Sequence, residues 1–192
     1  MQNIDQAINR LLLIGAIEPS YEEKGQFLSS YFTVPKPDGT HRFILNLKEF
    51  NEFVFTEHFK LEDFRTAVNL LNLNEYMCKV DLEDAYLSVP IHKDFRKFLK
   101  FRYKGQLFQF TALPFGLGSS PYIFTKLMKP VVAYLRALGL KSVIYFDDFL
   151  LFGKNFMLCI KNLQITLDLL SSLGFIINKK KPNLNQAKYA PS

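Results

Sequence analysis

Two adjacent carboxylates interrupt an otherwise apolar part of this 192-residue chain. Asp147 and Asp148 separate two apolar runs, residues 142–146 and 149–152, and this pattern predicts a tight hairpin with two acids at its turn. An isolated pair of aspartates is usually a solvated turn. Ionised carboxylates beside apolar strands are nevertheless costly unless they are paired or bind a metal ion. A functional role for the pair therefore requires a further acid elsewhere in the chain.

Asp81 is the candidate for that further acid. It ends the apolar stretch 77–80, so Asp81 and Asp147 would face one point if the two strands were neighbours. Carboxylate oxygens are the ligands that Mg²⁺ prefers, and Mg²⁺ keeps positions open for substrate phosphates. Two such ions about 4 Å apart can hold an attacking hydroxyl and a leaving pyrophosphate in line. This chemistry relies on positioning and charge neutralisation and needs no Ser or Cys nucleophile.

Apolar periodicity and turn residues predict the elements that must position these acids. Helices are predicted over residues 4–17, 61–71, 119–138 and 155–173, the third kinked at Pro130. Strands are predicted over residues 30–34, 42–47, 77–80, 99–103, 107–110, 142–146, 149–152 and 175–177, and residues 20–26 are predicted to be a polar connector. The apolar face of the third helix is predicted to contain Phe124, Leu127, Met128, Val131, Leu135 and Leu138. This mixed order of strands and helices favours the α+β class.

The composition is that of a globular chain with a weak preference for a polyanionic partner. Apolar residues make up 48% of the chain, far more than in a disordered segment. The net charge of +6 suits phosphate binding, although charge alone carries little weight. Cys78 and Cys159 lack the spacing of metal ligands and are expected to be buried, reduced thiols. No apolar run approaches the roughly 20 residues that a membrane-spanning helix needs.

Five segments resemble, in the same order, the motifs of reverse transcriptases. Residues 81–86 (DLEDAY), 113–118 (LPFGLG) and 145–148 (YFDD) resemble three ordered motifs of that family. Residues 34–51 (VPKPDGTHRFILNLKEFN) resemble its fingers hairpin, and residues 173–182 (LGFIINKKKP) resemble the palm motif that ends in a lysine. The resemblance covers residues 8–182, and its wording is most similar to retrotransposon enzymes of the Ty3 and DIRS kinds.

The resemblance implies a metal site and a sugar-selecting residue. Asp81 and Asp147 would be the principal ligands of two Mg²⁺ ions, with Mn²⁺ as a substitute, and Asp148 would be the third catalytic carboxylate. Tyr86 occupies the family's steric-gate position, where its ring would clash with a ribose 2′-hydroxyl. Outside such a motif, a core aromatic would be the default interpretation of Tyr86.

The resemblance also implies contacts to the triphosphate of an incoming deoxynucleotide. Lys36 and Arg42 would reach it from the fingers hairpin, and Arg suits this role because its planar fork binds phosphate bidentately. Backbone N–H groups near Asp84 and Ala85 would hold the same triphosphate.

Further positions are implied to surround the base, the primer end and the leaving group. Phe115 and Gly116 would line the pocket under the new base pair, and Phe146 would pack near the primer end or the sugar. Lys180 or Lys181 would act as a general acid toward pyrophosphate, although a solvated basic stretch explains these lysines equally well.

The implied fold is a fingers–palm polymerase of the α+β class, with an antiparallel palm sheet backed by helices. Residues 1–80 would be mainly fingers, residues 81–112 the first palm strand and a return to the fingers, and residues 113–192 the palm. No clear primer grip, thumb or RNase H region is recognisable after Lys181, so we expect a truncated chain, a domain cut from a larger polyprotein or a degenerate copy of an element. The implied partners are a primer–template of RNA or DNA, deoxynucleoside triphosphates and those missing regions, without a membrane. The expected location is intracellular, in the cytoplasm, a virus-like particle or the nucleus.

Three functions are open on this reasoning. The first is an active RNA-directed DNA polymerase core. The second is a catalytically inactive remnant that binds nucleic acid or has a structural role, as the missing C-terminal elements suggest. The third is an RNA-dependent RNA polymerase, which Tyr86 disfavours because a ribonucleotide enzyme needs room for the 2′-hydroxyl.

Overall fold

The structure, a computed structural model, describes residues 2–36, 39–55, 75–145, 147–178 and 184–186. Its helices are α1 (Gln2–Leu13), α2 (Lys48–Asn51), α3 (Lys93–Arg96), α4 (Ser120–Ala137) and α5 (Phe156–Ser172), with a 3₁₀ turn at Ala85–Ser88. Its strands are β1 (Ile17–Ser20), β2 (Tyr31–Pro35), β3 (His41–Leu45), β4 (Tyr76–Asp81), β5 (Lys100–Tyr103), β6 (Gln106–Phe110), β7 (Lys141–Tyr145), β8 (Asp148–Gly153) and β9 (Leu184–Gln186). This mixture of helices with antiparallel sheets confirms the α+β prediction.

The chain divides into two compact units. The first unit consists of Met1–Glu57 and Tyr86–Pro121, and the second of His58–Ala85 and Tyr122–Ser192. The first contains the sheet β1-β6-β5 and the hairpin β2–β3, and the second contains the sheet β7-β8-β4-β9. Among the described residues, no helix has the combined length and apolarity needed to cross a membrane.

An aromatic cluster joins the two sheets of the first unit. The ring of Phe43 in β3 lies 5.0 Å from that of Phe101 in β5 and 6.0 Å from that of Phe110 in β6. Tyr31 in β2 stacks on Phe43 at 5.1 Å. Phe101 and Phe110 are almost completely buried. Aromatic pairs in this range of separation add to the apolar burial, so the hairpin is fixed by packing against the larger sheet.

The loop after β6 lies directly on the backbone of β3. Leu45 N–H donates to Phe115 O at 3.0 Å. Asn51 then donates from Nδ2 to Gly116 O at 2.9 Å and accepts from Gly118 N–H at 2.8 Å. Gly116 has φ +109°, and a Cβ at this position would lie 2.0 Å from Leu45 O. Only glycine allows this approach, because it has no Cβ and tolerates positive φ.

The faces of the second unit's sheet follow from strand alternation. Cys78 and Val80 in β4, with Phe149 and Leu151 in β8, point to one face and are buried. Helix α5 packs against β4 and β8, and its Cys159 Sγ lies 3.7 Å from Cys78 Sγ. Both cysteines are free and buried, as predicted. Burial raises the pKa of both thiols, which keeps them protonated.

A buried asparagine attaches α5 to the open end of the β7–β8 hairpin. Asn162 donates from Nδ2 to Lys141 O at 2.8 Å and to Phe152 O at 3.1 Å. Lys141 and Phe152 are the cross-strand partners that open this hairpin. Thr166 Oγ1 donates to Asn162 Oδ1 at 3.2 Å. The amide is therefore satisfied on both sides, as a buried polar group requires.

Several local predictions differ from the structure. The first helix ends at Leu13, and the following Ile17–Ser20 is a strand paired with β6. Residues 175–177 form only an isolated bridge between Ile177 and Leu82. The strand Leu184–Gln186 was not predicted. The predicted helix at 61–71 lies outside the described residues.

Helix α4 runs through Pro130 but buries a narrower face than predicted. Leu127 and Leu138 are about half exposed, at 45% and 50%. Val132 is buried where Val131 was expected. The buried apolar residues of this helix are Phe124, Met128, Val132 and Leu135.

The close approach at Gly116 yields a matched pair of substitutions. We expect Gly116→Ala to lower the free energy of unfolding by about 2–4 kcal/mol, because a Cβ would overlap Leu45 O at an unfavourable φ. Gly118→Ala, whose Cβ would lie 3.4 Å from Asn51 Oδ1, should cost no more than about 1 kcal/mol. Urea denaturation of both variants measures the difference, and equal stabilities would contradict this description of the loop.

Candidate active site

Two of the three candidate acids face each other across a strand pair in the second unit. In the antiparallel β4–β8 register, Asp81 is opposite Asp148. Leu82 N–H donates to Asp147 O at 3.1 Å, so the cross-strand hydrogen bond joins the residues next to Asp81 and Asp148. Asp81 and Asp148 thus form the non-hydrogen-bonded type of pair, in which side chains approach most closely. The two strands are neighbours, as the sequence-based expectation required, but the residue opposite Asp81 is Asp148, whereas the expectation named Asp147.

The local fold at Asp148 differs from the predicted two-acid turn. Tyr145 is the last residue of β7, and Asp148 is already the first residue of β8 and pairs with Tyr145. Asp147 lies in the turn. A two-residue connection matches the twist of antiparallel strands well. The two acids therefore have different backbone environments, one in the turn and one in the strand.

A lysine that the sequence analysis did not select lies on the same face of the sheet. Lys79 precedes Asp81 by two residues in β4, so strand alternation places both on one face. Its Nζ lies 2.6 Å from Asp148 Oδ2, with side-chain exposures of 49% for Lys79 and 30% for Asp148. The hydrogen bond to Asp148 raises the pKa of Lys79, and the charges of Asp148, Asp81 and Asp147 add to this effect. All three acids therefore act on this one cation.

An amide holds Asp81 from the other side. Asn178 donates from Nδ2 to Asp81 Oδ2 at 2.8 Å, and its backbone N–H donates to Asp81 O at 2.9 Å. The neighbouring Glu83 N–H donates to Ile176 O at 2.8 Å. The segment around Asn178 thus extends the sheet past the end of β4. Asn178 was also missed by the sequence analysis, where the only signal was its position directly before the lysine run.

These side chains fit a hard divalent cation by donor type. Carboxylate oxygens from neighbouring strands are suitable ligands for Mg²⁺. Within the described part of the chain, however, no three His, Cys, Asp or Glu side chains are gathered closely enough to form a metal site. Asp148 is turned toward Lys79, and Asp81 toward Asn178. The candidate carboxylates thus lie on neighbouring parts of the backbone, and those of Asp81 and Asp148 contact other side chains of the protein.

Three candidate nucleotide-binding residues of the first unit are in contact with one another through the ring of Phe115. The guanidinium carbon of Arg42 lies 4.6 Å from the centre of the Phe115 ring, within cation–π range. The ring of Tyr86 lies 5.5 Å from that of Phe115, at 50°. Phe115 thus contacts both residues. Gly116, next to it, occupies the close approach to Leu45.

The other predicted residues have varied positions. Lys36 lies at the base of the β2–β3 turn, where its backbone N–H donates to Thr40 O at 2.7 Å. Asp84 has φ +48°, a left-handed conformation that Asp tolerates better than most residues. Ala85 is buried at the start of the 3₁₀ turn. Phe146, Lys180 and Lys181 lie outside the described residues.

Comparisons with known proteins find similarity to parts of polyproteins. The family model described as "Reverse transcriptase (RNA-dependent DNA polymerase)" matches residues 34–189. The transposon Tf2-3 polyprotein of Schizosaccharomyces pombe is 26% identical over 188 residues, which cover 98% of this chain and 14% of that polyprotein. The enzymatic polyprotein of figwort mosaic virus is 26% identical over 185 residues, 94% of this chain and 27% of that protein. The chain therefore spans a small part of the relatives it matches.

Solved structures of foamy viral protease-reverse transcriptase have a similar fold. One, in complex with ds DNA, matches with a TM-score of 0.83 and 25% identity over 96% of this chain and 31% of that chain. Another, in complex with RNA/DNA hybrid, matches with a TM-score of 0.77 and 26% identity over 97% of this chain and 24% of that chain. Because the family model covers most of its length, the chain belongs to the reverse transcriptase (RNA-dependent DNA polymerase) family.

Proposed function

We propose that this chain is the catalytic core of an RNA-directed DNA polymerase that extends a primer with deoxynucleotides. The observation that carries the proposal is the pairing of Asp81 with Asp148 across β4 and β8, with Asp147 in the adjoining turn. A close group of acids at the end of a sheet has little structural use, since like charges that face each other destabilise a strand pair. Family membership supports the same reaction.

In this proposal the three acids hold two divalent ions, Mg²⁺ or its substitute Mn²⁺. When bound, the ions would activate the primer 3′-hydroxyl and neutralise the leaving pyrophosphate. Asp81 and Asp147 are the proposed principal ligands, and Asp148 is the third carboxylate. Asn178 restrains Asp81 through one carboxylate oxygen, which reduces the number of orientations that this acid must search.

The first unit would bind the incoming deoxynucleotide. Arg42 would contact the triphosphate, and its cation–π contact would limit where the guanidinium can move. Tyr86, packed on Phe115, would present its ring to the sugar and exclude a 2′-hydroxyl. Lys36 would reach the same triphosphate, and Gly116 would line the pocket under the new base pair.

Three further assignments follow from the family resemblance. The amides of Asp84 and Ala85 would hold phosphate oxygens. Phe146 would pack near the primer end, and Lys180 or Lys181 would assist pyrophosphate departure.

The partners and subdomains follow from the same reaction. We propose that the first unit corresponds to the fingers and the second to the palm, although the predicted boundary at residue 80 stays a prediction. The primer–template would be RNA or DNA, since foamy viral relatives were solved with ds DNA and with RNA/DNA hybrid. The thumb and RNase H would be supplied by other parts of a polyprotein, as the short coverage of the relatives suggests.

Replacing the two adjacent acids, Asp147 and Asp148, tests the reaction directly. We expect Asp147→Asn with Asp148→Asn to lower metal-dependent primer extension by about 10³-fold or more, because the charge that holds the ions is lost. The matched control is Asp168→Asn, which removes an exposed carboxylate of α5 bonded to Gln164. Extension with saturating primer–template and a Mg²⁺ series measures both variants.

The primer-extension assays, together with primer–template binding, distinguish the open functions. Full activity in the double variant would refute the metal site. Tight primer–template binding by the wild-type chain, without extension under Mg²⁺ or Mn²⁺, would instead select the inactive remnant.

Tyr86 provides a test of sugar selection. We expect Tyr86→Ala to reduce the preference for deoxynucleotides over ribonucleotides by roughly 10- to 100-fold, because the ring that excludes the 2′-hydroxyl is removed. Tyr86→Phe keeps the ring and its packing on Phe115, so its preference should match the wild type. Competition between the two nucleotide types gives the ratio of kcat/KM. A wild-type preference for ribonucleotides would favour the RNA-dependent RNA polymerase instead.

A further inference from the structure

Lys79 is a cation that forms an ion pair with one of the candidate acids. Its Nζ contacts Asp148 Oδ2 at 2.6 Å. Lys79 shares a sheet face with Asp81, and Asp148 lies opposite Asp81 across the strand pair. Its ammonium group therefore lies in a region of negative charge that would also attract a metal ion.

The two partners of the acids differ in charge. Asn178 is a neutral donor to Asp81, and a neutral amide does not repel a nearby cation. Lys79 carries a full positive charge, so its contact with Asp148 competes with any cation that needs the same carboxylate. Among the contacts that the structure describes for Asp148, the lysine contact is the one that a metal ion would have to break to use this carboxylate.

The lysine contact has the properties of a reversible one. The Lys79 side chain is 49% exposed, and that of Asp148 is 30% exposed. Ion pairs with this exposure are weak because water screens them. A lysine has a long stem and a strongly hydrated ammonium group, so it can return to solvent without disturbing the core. A divalent ion has twice its charge and can displace it.

We propose that Lys79 is a positioning residue that serves as the counter-ion of the acids before metal binds, and that metal binding displaces it from Asp148. The inference rests on the proposed function, because it assumes that a metal ion uses Asp148. Lys79 thereby has two opposite effects. It stabilises the metal-free sheet against repulsion between Asp81 and Asp148, and it raises the metal concentration at which the site fills.

Binding of Mn²⁺ to the chain without nucleic acid or nucleotide tests this inference. Electron paramagnetic resonance of free Mn²⁺ gives the dissociation constant. We expect Lys79→Gln to bind Mn²⁺ roughly 3- to 10-fold more tightly, because a competing charge is removed. Lys79→Arg keeps the charge and should bind no more tightly than the wild type. Lys161→Gln removes an exposed lysine of α5 and should stay within about twofold of the wild type.

Thermal unfolding of the same variants provides the second readout. Without metal, Lys79→Gln should have a lower Tm than the wild type, because Asp81 and Asp148 lose their counter-ion. Saturating Mn²⁺ should remove this difference. A residue with only a structural role would lower the Tm with and without metal and would not tighten Mn²⁺ binding.

The outcomes separate this inference from the proposed function. If Asp148→Asn weakens Mn²⁺ binding but Lys79→Gln does not tighten it, the metal site stands and the counter-ion role is wrong. Equal tightening in Lys79→Gln and Lys161→Gln would also overturn that role, since net charge alone would explain it. If Asp148→Asn leaves Mn²⁺ binding unchanged, the metal site and the inference both fail.

Discussion

Repulsion between carboxylates that face each other across β4 and β8 is the constraint around which the second unit is arranged. Asp81 and Asp148 are in the closest type of cross-strand pair, and Asp147 follows in the turn. Such a sheet end is stable only if the surrounding sequence provides compensating groups, and Lys79 and Asn178 are those groups. The same excess of negative charge would attract the divalent cations of the proposed reaction. An electrostatic cost to folding thus serves the proposed chemistry.

In the first unit, packing holds the proposed nucleotide-binding residues in place. The aromatic cluster around Phe43 fixes the β2–β3 hairpin, and with it the backbone from which Arg42 projects. The loop that contains Phe115 is fixed in turn by the approach of Gly116 to Leu45. Arg42 and Phe115 therefore meet because two backbone segments are held independently. The positions of Arg42 and Phe115 thus depend on packing at the residues that follow them, Phe43 and Gly116.

Local patterns predicted the strands that carry the acids, because apolar runs ended by aspartates are visible in a short window. They failed where tertiary pairing decides the outcome. Ile17–Ser20 contains Pro19, yet it is a strand because β1 lies at a sheet edge, where proline is tolerated. Lys79 looks like any charged strand residue until β8 is placed beside it. Asn178 reaches Asp81 across 97 residues of sequence, and no local pattern encodes such a contact.

The amide of Asn162 has a consequence for where the acids stand. It donates hydrogen bonds to both strands of the β7–β8 hairpin at their open end, whereas Asp148 lies at the opposite end, beside Tyr145. Four residue steps of strand, about 13 Å, separate the two ends. Strand β8 is also paired with β4 along this whole length, as far as Asp148, so the hairpin is held at both ends. A substitution at Asn162 would therefore loosen the attachment of α5 while the β4–β8 pairing still kept Asp81 opposite Asp148.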